Sequence, residues 1–131
     1  MNIELIGKKI LIVGGARGIG GRIVRDCATA GAAVAWTYFS DSGEKASAEL
    51  SRELTSAGRS FLSFRVDSTD EEGTLEMFAA LREKWGRLDG LVYNAGFTSP
   101  KDSSACSAFA LIRRKSAWSF TVSAPRKFIS R

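Results

Sequence analysis

Residues 9–20 read Lys-Ile-Leu-Ile-Val-Gly-Gly-Ala-Arg-Gly-Ile-Gly. Lys9–Val13 is a short apolar run closed by Gly14 and Gly15, the pattern of a strand buried on both faces. The period then changes. From Gly18 to Ala30 the residues Ile19, Ile23 and Cys27 fall four apart, which predicts a helix stopped by Gly31. A strand that turns through glycines into a helix lets the backbone approach a pyrophosphate, whose charge the helix N-terminus stabilises. A tight strand-to-helix turn also needs glycines for its own geometry, so the loop alone leaves both readings open.

The segments that follow repeat the alternation. Ala33–Phe39 reads as a second strand, and Asp41 with Glu44 opens a helix striped by Ala46, Leu50, Leu54 and Ala57 before Gly58. Phe61–Val66 alternates as a third strand should. Thr69 and Glu72 form a capping box for a helix carrying Leu75, Phe78, Ala79 and Trp85, ended by Gly86. Leu88–Asn94 is the fourth strand. An alternating strand-helix order of this kind predicts an α/β fold: a Rossmann-type, doubly wound parallel sheet with right-handed crossovers and helices on both faces.

Three motifs carry a resemblance. Val13-Gly14-Gly15-Ala16-Arg17-Gly18-Ile19-Gly20 resembles the TGxxxGIG loop of the short-chain dehydrogenase/reductase family, with Val13 where Thr is usual. Asp67, at the end of the third strand, matches an Asp that the family sets against adenine, and Tyr93-Asn94-Ala95-Gly96 matches its NNAG. The likeness is nearest to reductases of the 3-oxoacyl-[acyl-carrier-protein] type and covers roughly residues 5–100. It implies an oxidoreductase that moves a hydride between a nicotinamide dinucleotide and a carbonyl/alcohol pair. By the same resemblance Gly14, Gly18 and Gly20 shape a pyrophosphate cradle, and the Ile19 N–H donates into it. Asp67 contacts adenine, Asn94 ties neighbouring strands, and Ala95 and Gly96 lie against the adenosine ribose. On residue type alone, the stronger reading of Asp67 is a helix-start acid beside Ser68, Thr69 and Asp70, and Asn94 reads also as a plain turn residue.

The choice of cofactor rests on the end of the second strand. An acid about 20 residues past the glycine loop usually holds the ribose 2′-OH of NAD. Tyr38, followed by Phe39 and Ser40, occupies that place, and Asp41 lies where it caps the next helix. Arg17 resembles the family's Arg on the 2′-phosphate; as a residue it is otherwise a solvated loop cation. NADP(H) is therefore favoured over NAD(H).

The 131 residues, 44% hydrophobic and 25% charged, are enough for a globular core and exclude disordered and collagen-like classes. Two distant cysteines, Cys27 and Cys106, and the absence of His exclude zinc-finger spacing and every His-based catalytic scheme. The longest uncharged run, Cys27–Ser40, is too short and polar to span a bilayer, and no signal-peptide pattern opens the chain, so a cytoplasmic location is expected and a membrane partner is not. The family's reductases use a Ser and a Tyr-x-x-x-Lys pair. Here Tyr38 is followed four residues on by Ser42 and Tyr93 by Phe97, so no catalytic residue is assigned.

The net charge of +5 is unevenly spread: residues 103–131 hold 6 Lys+Arg, no acid and 7 Ser. Residues 1–102 read as the NAD(P)-binding half and residues 103–131 as an atypical basic tail. The tail reads in three ways: a basic, aromatic-interleaved segment using Arg113, Arg114, Lys115 and Trp118; a replacement helix followed by a Phe120–Ser123 strand; or the product of a reading-frame shift. A frame shift fits the abrupt loss of acids, and a nucleic-acid partner is disfavoured. The expectation is a sheet truncated after its fourth strand, with Leu91 and Val92 on a bare edge unless the tail or another subunit covers it, marginal stability and self-association. A non-catalytic nucleotide-binding or regulatory module with a basic tail is the alternative function.

Overall fold

A computed structural model describes residues 2–94 and 122–123. The strands are β1 (Lys9–Val13), β2 (Ala33–Tyr38), β3 (Phe61–Arg65), β4 (Gly90–Tyr93) and β5 (Val122–Ser123), and the helices α1 (Gly18–Thr29), α2 (Asp41–Ser56) and α3 (Glu71–Trp85). All the pairings are parallel, in the order β3-β2-β1-β4-β5. The doubly wound parallel sheet expected from the alternation is therefore present, with β1 at its centre.

The two-residue period of the strands divides the core into two layers. Leu11, Val13, Ala35 and Leu91 point to one face and pack with Met77, Phe78 and Leu81 of α3. Ile12, Val34 and Trp36 point to the other and pack with Val24 and Ala28 of α1 and Leu50 and Leu54 of α2. Each face of the sheet needs a helix because both are apolar, which is why strand and helix must alternate along the chain. Trp36 is fully buried, stacks on Phe61 with ring centroids 5.3 Å apart, and donates from Nε1 to Ser47 Oγ at 2.9 Å.

Several local expectations are corrected. The buried face of α1 is Gly20, Gly21, Val24 and Ala28; Ile19 is 73% exposed, and Ile23 and Cys27 flank the core. Gly20 lets the start of α1 lie close against the Gly14 backbone and Asn94, a feature invisible to an apolar stripe. Burial first and the Asp26 charge second push the Cys27 thiol up, so it stays protonated. In α3 the inward residues are Thr74, Met77, Phe78 and Leu81, while Leu75 and Ala79 face outward. Thr74 is buried without penalty because its hydroxyl donates to the Asp70 carbonyl at 2.6 Å.

Both cap assignments move by one residue. Ser40, not Asp41, caps α2 by accepting from the Gly43 N–H, and Asp70, not Thr69, caps α3 by accepting from the Gly73 N–H. Nor is the β4 edge bare: β5 pairs with it at Leu91↔Val122 and Val92↔Ser123, and Leu91 is buried. The sheet thus continues past the fourth strand with backbone from within the basic segment. Among the described residues no helix is long and apolar enough to cross a membrane.

Asp89 fastens β4 to β1, accepting from the Lys9 N–H at 2.8 Å and from Arg87 Nε at 3.3 Å. Partial desolvation pushes its carboxyl up, but the Lys9 hydrogen bond, Arg87 and the Lys8 charge outweigh it, so the carboxyl sits below its ordinary value. A carboxyl with a folded pKa below the unfolded one stabilises above the unfolded pKa and loses that contribution as pH falls through the folded one. Asp89→Asn is expected to flatten the acid limb of stability. Urea midpoints measured from about pH 6 to about pH 3 check this, the wild type falling more steeply than the variant.

Candidate functional site

The C-terminal ends of β1, β2, β3 and β4 lie along one rim of the sheet, and the rim is where the chemistry-bearing residues gather. After Val13 the backbone turns at Gly14 and Gly18, whose φ angles of 77° and 59° lie in the left-handed region that glycine tolerates. The loop is pinned from both sides. Thr37 of β2, 4% exposed, accepts the Gly14 N–H on its hydroxyl and the Gly15 N–H on its carbonyl, both at 3.1 Å. From beyond β4, the Asn94 N–H donates to the Val13 carbonyl at 2.9 Å, and Asn94 Nδ2 to the Gly14 carbonyl at 3.4 Å.

Gly20 closes the cradle from above. A Cβ there would run into the Gly14 carbonyl oxygen and come within 2.8 Å of Asn94 Nδ2. The start of α1 also differs chemically from the other two helices. α2 and α3 are capped by Ser40 and Asp70 and carry Asp41, Glu44, Glu71 and Glu72 in their first turns. At α1 no side chain caps the N-terminus and no acid sits in the first turn. Its first amides and the positive end of its dipole remain open to an anion. This arrangement fits the pyrophosphate of a dinucleotide.

Arg17 leaves the loop towards α2. Its Nη1 donates to Ser42 Oγ at 2.7 Å, and Ser42 Oγ lies 3.1 Å from Ser40 Oγ. Sequence reasoning misses Ser42, and it misses Thr37, although the one aliphatic hydroxyl in the apolar run Ala33–Phe39 is a usable signal. The carboxylates nearest in sequence are engaged elsewhere. Asp41 and Glu44 both pair with Arg65 of β3, at 3.1 and 3.0 Å. Tyr38 is half-buried at the end of β2, and its carbonyl accepts from the Val66 N–H at 2.9 Å.

Asp67 follows β3 on the same rim. Its Oδ1 accepts from the Thr69 N–H at 2.9 Å and the Thr69 hydroxyl at 2.7 Å, which fixes the turn into α3. It lines an open hollow of about 440 Å³ together with Phe39, Phe64, Val66, Asp70 and Met77. A smaller hollow of about 230 Å³ lies at the opposite ends of the strands, between Lys8, Gly31 and Arg59, away from every residue named here. The rim therefore brings together Gly14, Arg17, Gly18, Ile19, Gly20, Tyr38, Ser40, Asp67 and Asn94. Ala95 and Gly96 lie outside the described residues.

Comparison with known proteins agrees in kind. The family model for short chain dehydrogenase matches residues 8–120, further than the three motifs reach and into the basic segment. The chain is 39% identical over 101 residues to the enoyl-[acyl-carrier-protein] reductase [NADH] FabI of Neisseria meningitidis, the match covering 76% of this chain and 37% of that protein. It is 34% identical over 99 residues to the 3-oxoacyl-[acyl-carrier-protein] reductase FabG of Chlamydia pneumoniae, covering 75% and 38% of the two chains. Among solved structures it is similar to a blue fluorescent protein from a metagenomic library, crystallised with NADPH, at a TM-score of 0.68 and 37% identity, over 72% of this chain and 38% of that one. The chain thus spans well under half the length of these relatives.

Proposed function

The chain belongs to the short-chain dehydrogenase family, and on that premise we propose that it is the nucleotide-binding part of an oxidoreductase that takes NADP(H) in preference to NAD(H). When bound, the dinucleotide exchanges a hydride with a carbonyl/alcohol pair. The cradle of Gly14, Gly18, Ile19 and Gly20 receives the pyrophosphate, Asp67 the adenine, and Ala95 and Gly96 the adenosine ribose, while Asn94 ties β4 to the glycine loop. Arg17, Tyr38 and Ser40 stand at the 2′ position.

One observation carries the cofactor choice: the Arg17 guanidinium, directed by Ser42 to the start of α2, has no carboxylate as a hydrogen-bond partner among the described residues. The relatives leave the question to this chain, because one is named for NADH and another was crystallised with NADPH. Residues 1–131 contain no Tyr-x-x-x-Lys pair, and we assign the hydride-transfer step no catalytic residue here.

Titration with NADPH and NADH, followed by their fluorescence, tests the reading. Arg17→Ala should weaken NADPH at least about tenfold, the worth of a charge-assisted hydrogen bond, and leave NADH nearly unchanged. Absence of saturable NADPH binding to the unsubstituted chain defeats the proposal.

A further inference from the structure

Arg65 is the last residue of β3, and no motif draws attention to it. Its guanidinium forks between two carboxylates of the first turn of α2, with Nη2 to Asp41 Oδ1 at 3.1 Å and Nη1 to Glu44 Oε2 at 3.0 Å. The same helix start also presents Ser42, which accepts from Arg17, and Ser40, whose hydroxyl lies 3.1 Å from that of Ser42. Two acids therefore sit on the helix start that is to receive a phosphate, where they would repel it and compete for Arg17. Both are instead bound to a cation from the neighbouring strand.

We propose that Arg65 is a positioning residue for cofactor choice: by engaging Asp41 and Glu44 it leaves Arg17 and the two serines available to the 2′-phosphate of NADP(H). The inference rests on the reading of the rim as an NADP(H) site. It concerns charge placement and assigns Arg65 no contact with the dinucleotide. The register makes this arrangement specific, because β3 pairs with β2 through Tyr38↔Arg65, which sets Arg65 directly beside the strand that leads into α2. An ion pair so exposed contributes little to stability, so removing it perturbs the local field more than the fold.

The test is a set of affinities for NADPH and NADH, read by fluorescence titration on the full chain, with thermal melts confirming that each variant is folded. Arg65→Gln is expected to weaken NADPH about fivefold at low salt and to leave NADH unchanged. The loss should shrink at about 0.5 M salt, where the screening length falls to roughly 4 Å. Asp41→Asn with Glu44→Gln, added to Arg65→Gln, should restore NADPH binding. If the triple variant stays weak, Arg65 acts directly on the phosphate and the inference fails. An equal loss for both dinucleotides, or no loss for either, also overturns it. Should the unsubstituted chain show no preference for NADPH, the cofactor reading itself falls and takes this inference with it.

Discussion

Gly20→Ala is expected to yield a chain that binds no dinucleotide and melts roughly 10–20 °C lower, reflecting a loss of about 3 kcal/mol from overpacking. The added methyl group would meet the backbone carbonyl of Gly14, which no rotamer change can move, and the side-chain amide of Asn94. Relief would require α1 to lift from the sheet or the loop to open, and either movement dismantles the cradle. Gly21→Ala provides the control on the next residue. A Cβ there meets the Ala16 carbonyl oxygen and Arg25 Nη1 at 3.3 Å, a tight contact in which the arginine can move. Helix propensity favours Ala over Gly by about 1 kcal/mol, so Gly21→Ala should change stability little and leave binding intact. Melting curves and NADPH titrations of the two variants check the contrast. Equal behaviour would mean that the crowding at Gly20 is not what shapes the loop.

Trp36→Ala should cost about 4 kcal/mol, the largest stability loss expected from any single truncation in the described core. The side chain is wholly buried, stacks on Phe61 and fills the layer between β2 and α2. Among the described residues its indole N–H is satisfied by Ser47, itself 3% exposed. Ser47→Ala removes few atoms yet leaves that donor unpaired, and is expected to cost about 1–3 kcal/mol. Urea unfolding with the midpoint and slope both fitted measures the two losses. A Ser47→Ala variant as stable as the parent would mean that the indole finds another partner.

Much of this architecture is legible without coordinates because the strand signals are local. Lys9–Val13 is apolar throughout and closed by glycines, and its observed bounds are the expected ones. Helix faces are less legible. Apolar periodicity selects Ile19 and Leu75, whereas Gly20, Gly21 and Thr74 occupy the inward positions, two by being small and one by bonding its hydroxyl to the preceding turn. Caps slip by one residue where chemically equivalent neighbours compete, as Ser40 does with Asp41 and Asp70 with Thr69. The glycine loop could be read because its spacing lies within one short stretch. Thr37, Ser42 and Arg65 could not, since their roles depend on which strand lies beside which, and that register appears only when the sheet is assembled. A Phe120–Ser123 strand is one of the three readings of the tail, and β5 falls within it, but its register against β4 again needs the assembled sheet.

The two-sided pinning of the glycine loop has a consequence for the order in which the chain becomes competent. Thr37 reaches Gly14 across 23 residues, but Asn94 reaches it across 80. A nascent chain emerging from the ribosome therefore holds β1, the loop and β2 long before the last wall of the cradle exists. Closing that long interval carries the larger entropic cost, so the β1–β4 contact belongs to the late, non-local part of folding. Ligand that binds only the completed cradle then acts on the last step, drawing the β4 end into the ordered state by mass action. Amide hydrogens of Gly14 and Asn94 would report that coupling, exchanging more slowly as NADPH is added, while those deep in β2 stay unchanged.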